Sequence, residues 1–503
     1  MAKFIYIIKQ HGSNMKKNFI FLILFIFICL ACTSPNANGN QVSEGIAKTS
    51  EATLERQKGT VNMQFNINGL SAKGQEARMI GVYLENKFLA DSATIEDNGK
   101  FVFKGDLLQS KGFYYVVLPN DIVIKLLLDD DQEFVFTADA YNIDGTAAIE
   151  GSLTNKLFYE DLRAKVDIER NFGIVAGKIV KMKPSDPEFK STYDEFKRIS
   201  KQFDDMNKAL NEKYPDNFYT KFKTGGKNPE LTFPALPNGE LDIKKQTEVF
   251  RTHFWDDFDF NEPGLINTPA FFNKMTRYIT ELVPQNQDSI IKYTDILMKL
   301  AGGNDEYYKV ITNWVALKYE PGKTKLMDGE AVYSHIILKY FIPERATWMD
   351  EVTIETLRKR ASEMTQSLLN RKVGNVIATG LDGKIYKLSD ITAPVVIVFI
   401  YNPDCEHCEK ETPQLIDWYN KNKNRGVEVF SIAANTTTEE WKGFRQRFKL
   451  PWIDIFDETN ASWYPKFFVD VTPEIYVLDK NRKFFAKNLQ VSQLETIMAR
   501  INK

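Results

Sequence analysis

The clearest rhythm in the chain begins at Val61, where Val61, Met63, Phe65 and Ile67 alternate with Asn62, Gln64 and Asn66. A period of two puts all four apolar side chains on one face, which predicts a half-buried strand. Further strands follow at short intervals. Asp97-Asn98-Gly99, residues that accept positive φ, predicts a hairpin turn before Lys100-Phe101-Val102-Phe103. Asp129-Asp130-Asp131 then separates the apolar run Ile122 to Leu128 from Glu133 to Ala138. Residues 60–150 therefore predict a small antiparallel β domain.

Beyond Asn155 the period lengthens. Phe196, Ile199, Phe203, Met206 and Leu210 recur three or four apart between Tyr193 and Tyr214, as on one face of a helix. Ile290, Tyr293, Leu297 and Leu300 form a second face, stopped by Gly302-Gly303, and Ile354, Leu357, Ala361, Met364 and Leu368 a third. Residues 151–370 predict a helical middle domain, with a Pro- and Asn-bearing break near Gly225 to Asn238. In residues 371–503 strand and helix signals alternate: strand at Val395 to Ile400, helix after Cys405, strand at Val427 to Ala433, helix at Thr438 to Phe448. A hairpin across Asp479-Lys480-Asn481-Arg482 and a closing helix from Ser492 complete an α/β pattern with a central sheet.

The amino-terminal end has a different character. Lys16-Lys17 precedes twelve apolar residues, Phe19 to Leu30, and then Ala31-Cys32-Thr33-Ser34. Twelve residues suit the apolar part of an export signal better than a membrane span, which needs about 20. Leu30-Ala31-Cys32 resembles a bacterial lipobox, which implies cleavage after residue 31 and lipidation of Cys32, although Cys29 stands where an aliphatic residue is usual; an uncleaved anchor is the alternative. Met15 directly precedes the basic pair and is a candidate start. Residues 32–59, rich in Asn, Ser, Thr, Gly and Glu, lack the apolar side chains of a core and read as a flexible tether.

With 503 residues, 43% hydrophobic content and a formal net charge of −2, the chain has material for about three domains. No basic block interleaved with aromatics is present, so nucleic acid is excluded as an expected partner. Four cysteines are few, and two of them, Cys29 and Cys32, lie in or at the end of the export signal. The body keeps only Cys405 and Cys408, in Cys405-Glu406-His407-Cys408, where the apolar run Pro394 to Tyr401 gives way to a helical stretch. A Cys-x-x-Cys pair on such a turn predicts a dithiol redox centre.

The thiolate is the nucleophile in disulfide exchange, and a helix N-terminus stabilises it through unpaired N–H groups and the dipole. Cys405 is placed to receive that help, and Cys408, one turn on, to resolve a mixed disulfide. A protonated His407 would lower the Cys405 pKa and Glu406 would oppose it, so the residues leave the redox direction open. A purely stabilising disulfide is the bland alternative, but a four-residue loop contributes only roughly 2 kcal/mol. Metal binding by Cys405, His407 and Cys408 lacks an obvious fourth ligand; the other histidines are His11, His253 and His335. No metal and no cofactor beyond a Cys405–Cys408 disulfide is expected.

Val395 to Cys408 resembles the active-site strand and turn of thioredoxin-fold proteins, particularly the TlpA/ResA-like envelope group. The resemblance implies that Pro413 is the proline inside the active-site helix and that Thr472-Pro473 is the cis-proline loop facing the disulfide, with a trans turn proline as the alternative. Leu381-Asp382-Gly383-Lys384 and Leu388-Ser389-Asp390 resemble the small hairpin before the active-site strand. Sixty-five residues separate Cys408 from Pro473, room for the extra strand and helix of this group, in part within Thr438 to Asp457. Two positions depart: Asp404 stands where thioredoxins usually have Trp, and Phe399 where they have a buried carboxylate, which leaves Glu406, Glu409 or solvent as proton carriers. Upstream, His253-Phe254-Trp255-Asp256-Asp257-Phe258-Asp259-Phe260, Asn267-Thr268-Pro269 and Trp348 resemble an uncharacterised middle domain of Bacteroidetes-type lipoproteins. The acidic-aromatic stretch reads as the start of a helix with buried aromatics, or else a binding loop or calcium site.

The resemblance implies a lipid-anchored, periplasm-facing thiol–disulfide oxidoreductase of the cell envelope. Its partners would be protein thiols and disulfides, a membrane or periplasmic electron donor or acceptor, and the membrane through the anchor. The alternative is a non-catalytic binding or assembly lipoprotein that uses the thioredoxin-like module as a scaffold.

Overall fold

The computed structural model describes residues 57–183, 186–229, 231 and 242–501. The export signal, Cys32 and nearly all of the tether lie outside the described residues. Among the described residues no helix is long and apolar enough to cross a membrane. The chain divides into two compact units that meet in sequence between Val283 and Pro284.

The first unit holds two four-stranded sheets. Strands β1 (Lys58–Asn68), β2 (Glu76–Tyr83), β3 (Asn86–Thr94), β4 (Lys100–Leu107), β5 (Gly112–Val117), β6 (Val123–Leu128), β7 (Glu133–Asp139) and β8 (Ala148–Glu150) pair in the orders β4-β1-β7-β8 and β3-β2-β5-β6. All these pairings are antiparallel except β1 with β7, which is parallel. The alternation from Val61 to Ile67 buries the expected face: Phe65 stacks on Phe101, ring centroids 4.7 Å apart, and packs on Phe103, Phe134 and Phe136. Asp97-Asn98-Gly99 is a turn, with Asn98 and Gly99 both at positive φ, yet not a hairpin. The strands it joins, β3 and β4, belong to different sheets. Local turn chemistry decided the conformation, and tertiary pairing decided which strand came next.

Helices α1 (Ile143–Thr146), α2 (Leu153–Ile179), α3 (Phe189–Lys213), α4 (Phe218–Gly226), α5 (Ile243–Thr252) and α6 (Pro269–Arg277) complete this unit. The Ser152 hydroxyl caps α2 by accepting from the Asn155 N–H. The acidic-aromatic stretch follows the end of α5 rather than starting a helix, because His253 is already the C-cap of that helix. Its aromatics Phe254, Trp255, Phe258 and Phe260 are buried, as the sequence leads one to expect.

The second unit begins with α7 (Gln287–Ala301), α8 (Asp305–Lys318), α9 (Gly329–Tyr340) and α10 (Glu351–Met364). There follow β9 (Ile377–Gly380), β10 (Ile385–Lys387), β11 (Val395–Tyr401), α11 (Glu406–Asn422), β12 (Val427–Ala433), α12 (Thr438–Phe448), β13 (Ile453–Phe456), β14 (Glu474–Leu478), β15 (Phe484–Ala486) and α13 (Leu494–Ile501). The seven strands form one sheet in the order β10-β9-β13-β12-β11-β14-β15, with β11, β12 and β13 parallel. Every residue of β11 is buried, which explains its unbroken apolar run: a central strand covered on both faces has no polar side. Ile397, Phe399 and Tyr401 face one core with Cys408, Leu415, Trp441 and Phe444. Val396, Val398 and Ile400 face the other with Phe430, Trp463 and Phe467. The segment from Thr438 to Phe456 supplies α12 and β13, the extra helix and strand allowed for by the long spacing to Pro473.

Candidate active site

Strand β11 ends at the buried Tyr401, and a tight turn leads from it into α11. The Asn402 side chain accepts from the Asp404 N–H at 2.8 Å and donates to the Asn435 carbonyl at 2.9 Å, while the Cys405 N–H donates to the Asn402 carbonyl at 3.1 Å. Cys405 thereby becomes the N-cap of α11, in extended conformation. At that position a side chain faces the N–H groups that a helix leaves unpaired.

Cys405 and Cys408 are both free thiols, and they differ in exposure. Cys405 is half-buried, and Cys408 has no exposed surface. Burial works against ionisation of Cys405, but hydrogen bonding from the Cys408 thiol and the backbone N–H groups of Cys408 and His407 outweighs it and holds the pKa below the ordinary thiol value. Burial, aided by the hydrogen bond to Cys405, pushes Cys408 up to about 12. The pair is polarised: an outer sulfur disposed to ionise and an inner one disposed to stay protonated.

The Thr472–Pro473 bond is cis, and the Cys405 thiol donates to the Thr472 carbonyl at 3.1 Å. The cis-proline loop and the outer sulfur are thus brought together across 67 residues of chain. Pro413 lies inside α11. His407 is exposed on the first turn, and Glu406 is exposed and held below the usual carboxylate range by its hydrogen bond with Lys410, 2.7 Å away. Glu409 pairs with Arg447 at 2.6 Å. Glu406 and Glu409 therefore both face outward partners.

Phe399 stacks on Tyr401 in the core, so the position of the usual buried acid is apolar, as the sequence indicates. Two other buried acids were not evident. Asp454 on β13 is 2% exposed and accepts from the Tyr401 hydroxyl at 3.1 Å, Ser431 Oγ at 2.6 Å and Trp441 Nε1 at 2.6 Å. Glu474, directly after Pro473, is buried, and loss of hydration raises its pKa to about 8. Its Oε1 accepts from the Asn488 N–H at 2.9 Å. The neighbouring Asn488 amide and Lys487 ammonium reach Glu330 on α9, at 3.0 and 3.3 Å. Asp454 did leave a signal, as the lone acid between Ile453 and Ile455; Glu474 left none beyond opening an apolar strand.

Comparison with known proteins places this geometry. Residues 369–484 match the AhpC/TSA family, residues 197–367 a domain of unknown function, DUF5106, and residues 65–158 another, DUF4369. Over 119 residues the chain is 27% identical to the thiol-disulfide oxidoreductase ResA of Bacillus cereus, covering 24% of this chain and 68% of ResA. It is 34% identical over 107 residues to the chloroplastic peroxiredoxin Q of Suaeda salsa, covering 20% of this chain and 50% of that one. Among solved structures, a domain of a possible thiol-disulfide isomerase from Cytophaga hutchinsonii is 31% identical, with 27% of this chain and 93% of that one covered and a TM-score of 0.26. A thioredoxin-like protein from Bacteroides caccae is 18% identical, with 54% and 99% covered and a TM-score of 0.43. The match at residues 369–484, with the sheet and turn described above, makes the C-terminal part of the chain a thioredoxin-fold domain similar to the AhpC/TSA family, in an oxidoreductase with ResA-like relatives.

Proposed function

We propose that the chain is an envelope thiol–disulfide oxidoreductase acting on protein substrates through the Cys405–Cys408 dithiol. One observation carries this reading: a half-exposed thiol at a helix N-terminus, 3.1 Å from the carbonyl of the cis-proline loop, with a second, sealed thiol one turn behind it. In the reducing direction the Cys405 thiolate attacks a substrate disulfide, forming a mixed disulfide and releasing one substrate thiolate. Cys408 then attacks Cys405 Sγ, closing the internal disulfide and releasing the second. The oxidising direction runs the same steps backwards.

The Thr472 backbone and the exposed Val471 beside it suit an extended peptide laid along the loop, whose main chain would pair there while its disulfide meets Cys405. The envelope setting rests on the export signal and on Cys32 as the lipidated residue, with a membrane or periplasmic electron partner to reset the dithiol. Insulin reduction by the soluble body tests the activity: Cys405→Ser should lose at least 100-fold, and full activity in that variant would overturn the nucleophile assignment. Cys408→Ala should accumulate covalent adducts with envelope proteins, separable by reducing and non-reducing electrophoresis. Loss of label from the membrane fraction in Cys32→Ser checks the anchor.

A further inference from the structure

The segment that presents Thr472 to Cys405 is held from outside the sheet as well as from within it. Phe468 is fixed through both of its backbone groups: its N–H donates to Ser367 Oγ at 3.3 Å, and its carbonyl accepts from the Tyr476 hydroxyl. Two residues on, the Asp470 carboxylate accepts from Arg360 Nη2 at 2.5 Å. Two further on, the Thr472 carbonyl accepts from the Cys405 thiol at 3.1 Å. Arg360 lies on α10, and Ser367, fully buried, on the turn that follows it. The helices before the α/β sheet thus supply two of the contacts that place this loop.

Helix α10 is itself anchored. Arg358 Nη1 donates to the Leu338 and Phe341 carbonyls at 2.8 and 3.1 Å, at the C-terminal end of α9, where a helix leaves its carbonyls unpaired. The other end of α9 is tied to the sheet through Glu330, which meets Asn488 and Lys487 at 3.0 and 3.3 Å. Sheet, α9, α10 and loop therefore close into a frame, and Cys405 touches it at Thr472. The Arg360 and Asp470 side chains are 23% and 43% exposed, and an ion pair this open contributes little to folding. What it controls is the place of Asp470, one residue from the exposed Val471 and two from Thr472.

We infer that Arg360 is a positioning residue for protein substrates: through Asp470 it sets the loop along which a substrate main chain is laid, so that the helices before residue 369 take part in selecting extended peptide disulfides over small ones. A peptide that pairs with the Thr472 backbone and covers Val471 needs both residues already in place when it arrives. A small disulfide has no chain to lay there and needs only the Cys405 thiolate. Without Arg360 the Asp470 carboxylate turns to water, and the loop loses its support two residues before Thr472. The loss falls on peptide binding, because the two sulfurs and the N-terminus of α11 are untouched.

This rests on the dithiol reading above, and the test separates the two. The full chain carrying Cys29→Ser and Cys32→Ser, reduced, is mixed in stopped flow with two probes: a short peptide whose single cysteine is in mixed disulfide with thionitrobenzoate, and the same mixed disulfide of N-acetylcysteine amide. Cys405 attacks the probe, its S–S bond breaks, and thionitrobenzoate leaves as a coloured thiolate. Cys408 then closes on Cys405 and releases the peptide thiol, so two electrons pass from the protein dithiol to the probe. Arg360→Ala should raise the half-saturating peptide concentration about fivefold or more, while the limiting rate and the reaction with the small probe stay within about twofold of the parent. Exchanging the charges, Arg360→Asp with Asp470→Arg, should recover most of that loss relative to Arg360→Asp alone. Peptide saturation unchanged in Arg360→Ala, both probes slowed alike, or no recovery in the exchanged pair overturns the inference. Asp470→Ala, on the exposed loop, decides in the same way should Arg360→Ala not fold. Chromophore release as fast in Cys405→Ser as in the parent overturns the dithiol reading itself.

Discussion

The two sulfurs differ in what surrounds them more than in what they are. Cys405 draws on helix N–H groups and the thiol of Cys408, which lower its pKa against the opposing effect of burial, whereas Cys408 is raised to about 12. At pH 7 iodoacetamide should therefore modify Cys405 at least tenfold faster than Cys408, with a half-maximal rate below the ordinary thiol pKa; peptide mass mapping after quenching checks the ratio. Glu474 makes the opposite case. Its folded pKa of about 8 lies above the ordinary value of 4.5, so between those pH values the folded chain holds a proton that the unfolded chain has released. Stability then falls as pH rises from about 5 to 8. Glu474→Gln should flatten that slope by on the order of 1–2 kcal/mol, less than the whole shift implies because Lys487 shares the cluster, as measured by urea unfolding at pH 5.5 and 8.5.

At the level of elements, α12 is the piece that holds the buried acid in place. Its start carries a full capping box, in which the Thr437 side chain accepts from the Glu440 N–H at 3.3 Å and Glu440 Oε2 accepts from the Thr437 N–H at 2.9 Å. Thr437→Ala should cost about 1 kcal/mol by denaturant unfolding. The C-terminal elements were legible almost to the residue: β12 and α12 occupy the expected ranges, because period, caps and turn residues agree there. The turn at Asp97-Asn98-Gly99 was legible as a turn but not as a crossover, since no local signal distinguishes a strand's neighbour from its successor. The Cys405–Cys408 pair and the cis-proline loop could be read from spacing and resemblance. Tyr401 and Asp454 could not be paired, because their contact runs across three strands and joins residues 53 apart.

For the molecule as a whole, the second unit combines the helices α7 to α10 with the C-terminal sheet. Lys487 on the sheet side has no exposed surface and sits between Asp328, Glu330 and Glu474, all buried. Removing its charge leaves carboxyl groups facing one another without a cation, so Lys487→Ala should cost about 3–5 kcal/mol and lower the melting temperature. The same contacts bear on how much of the chain makes a self-sufficient body. A piece starting at residue 369 would expose Lys487 and Asn488, which otherwise bond to Glu330 on α9. A piece starting at residue 284 keeps them covered, and should unfold at higher urea than the shorter one.

Strand β11 is buried along its whole length and paired on both sides, by β12 and β14, and four residues later the backbone reaches a half-open sulfur. In deuterated water its amides should be among the last in the chain to trade their protons, while those of Asp404 and Glu406 trade early. A reacting group mounted on so slow-breathing a support would meet each incoming peptide in the same pose.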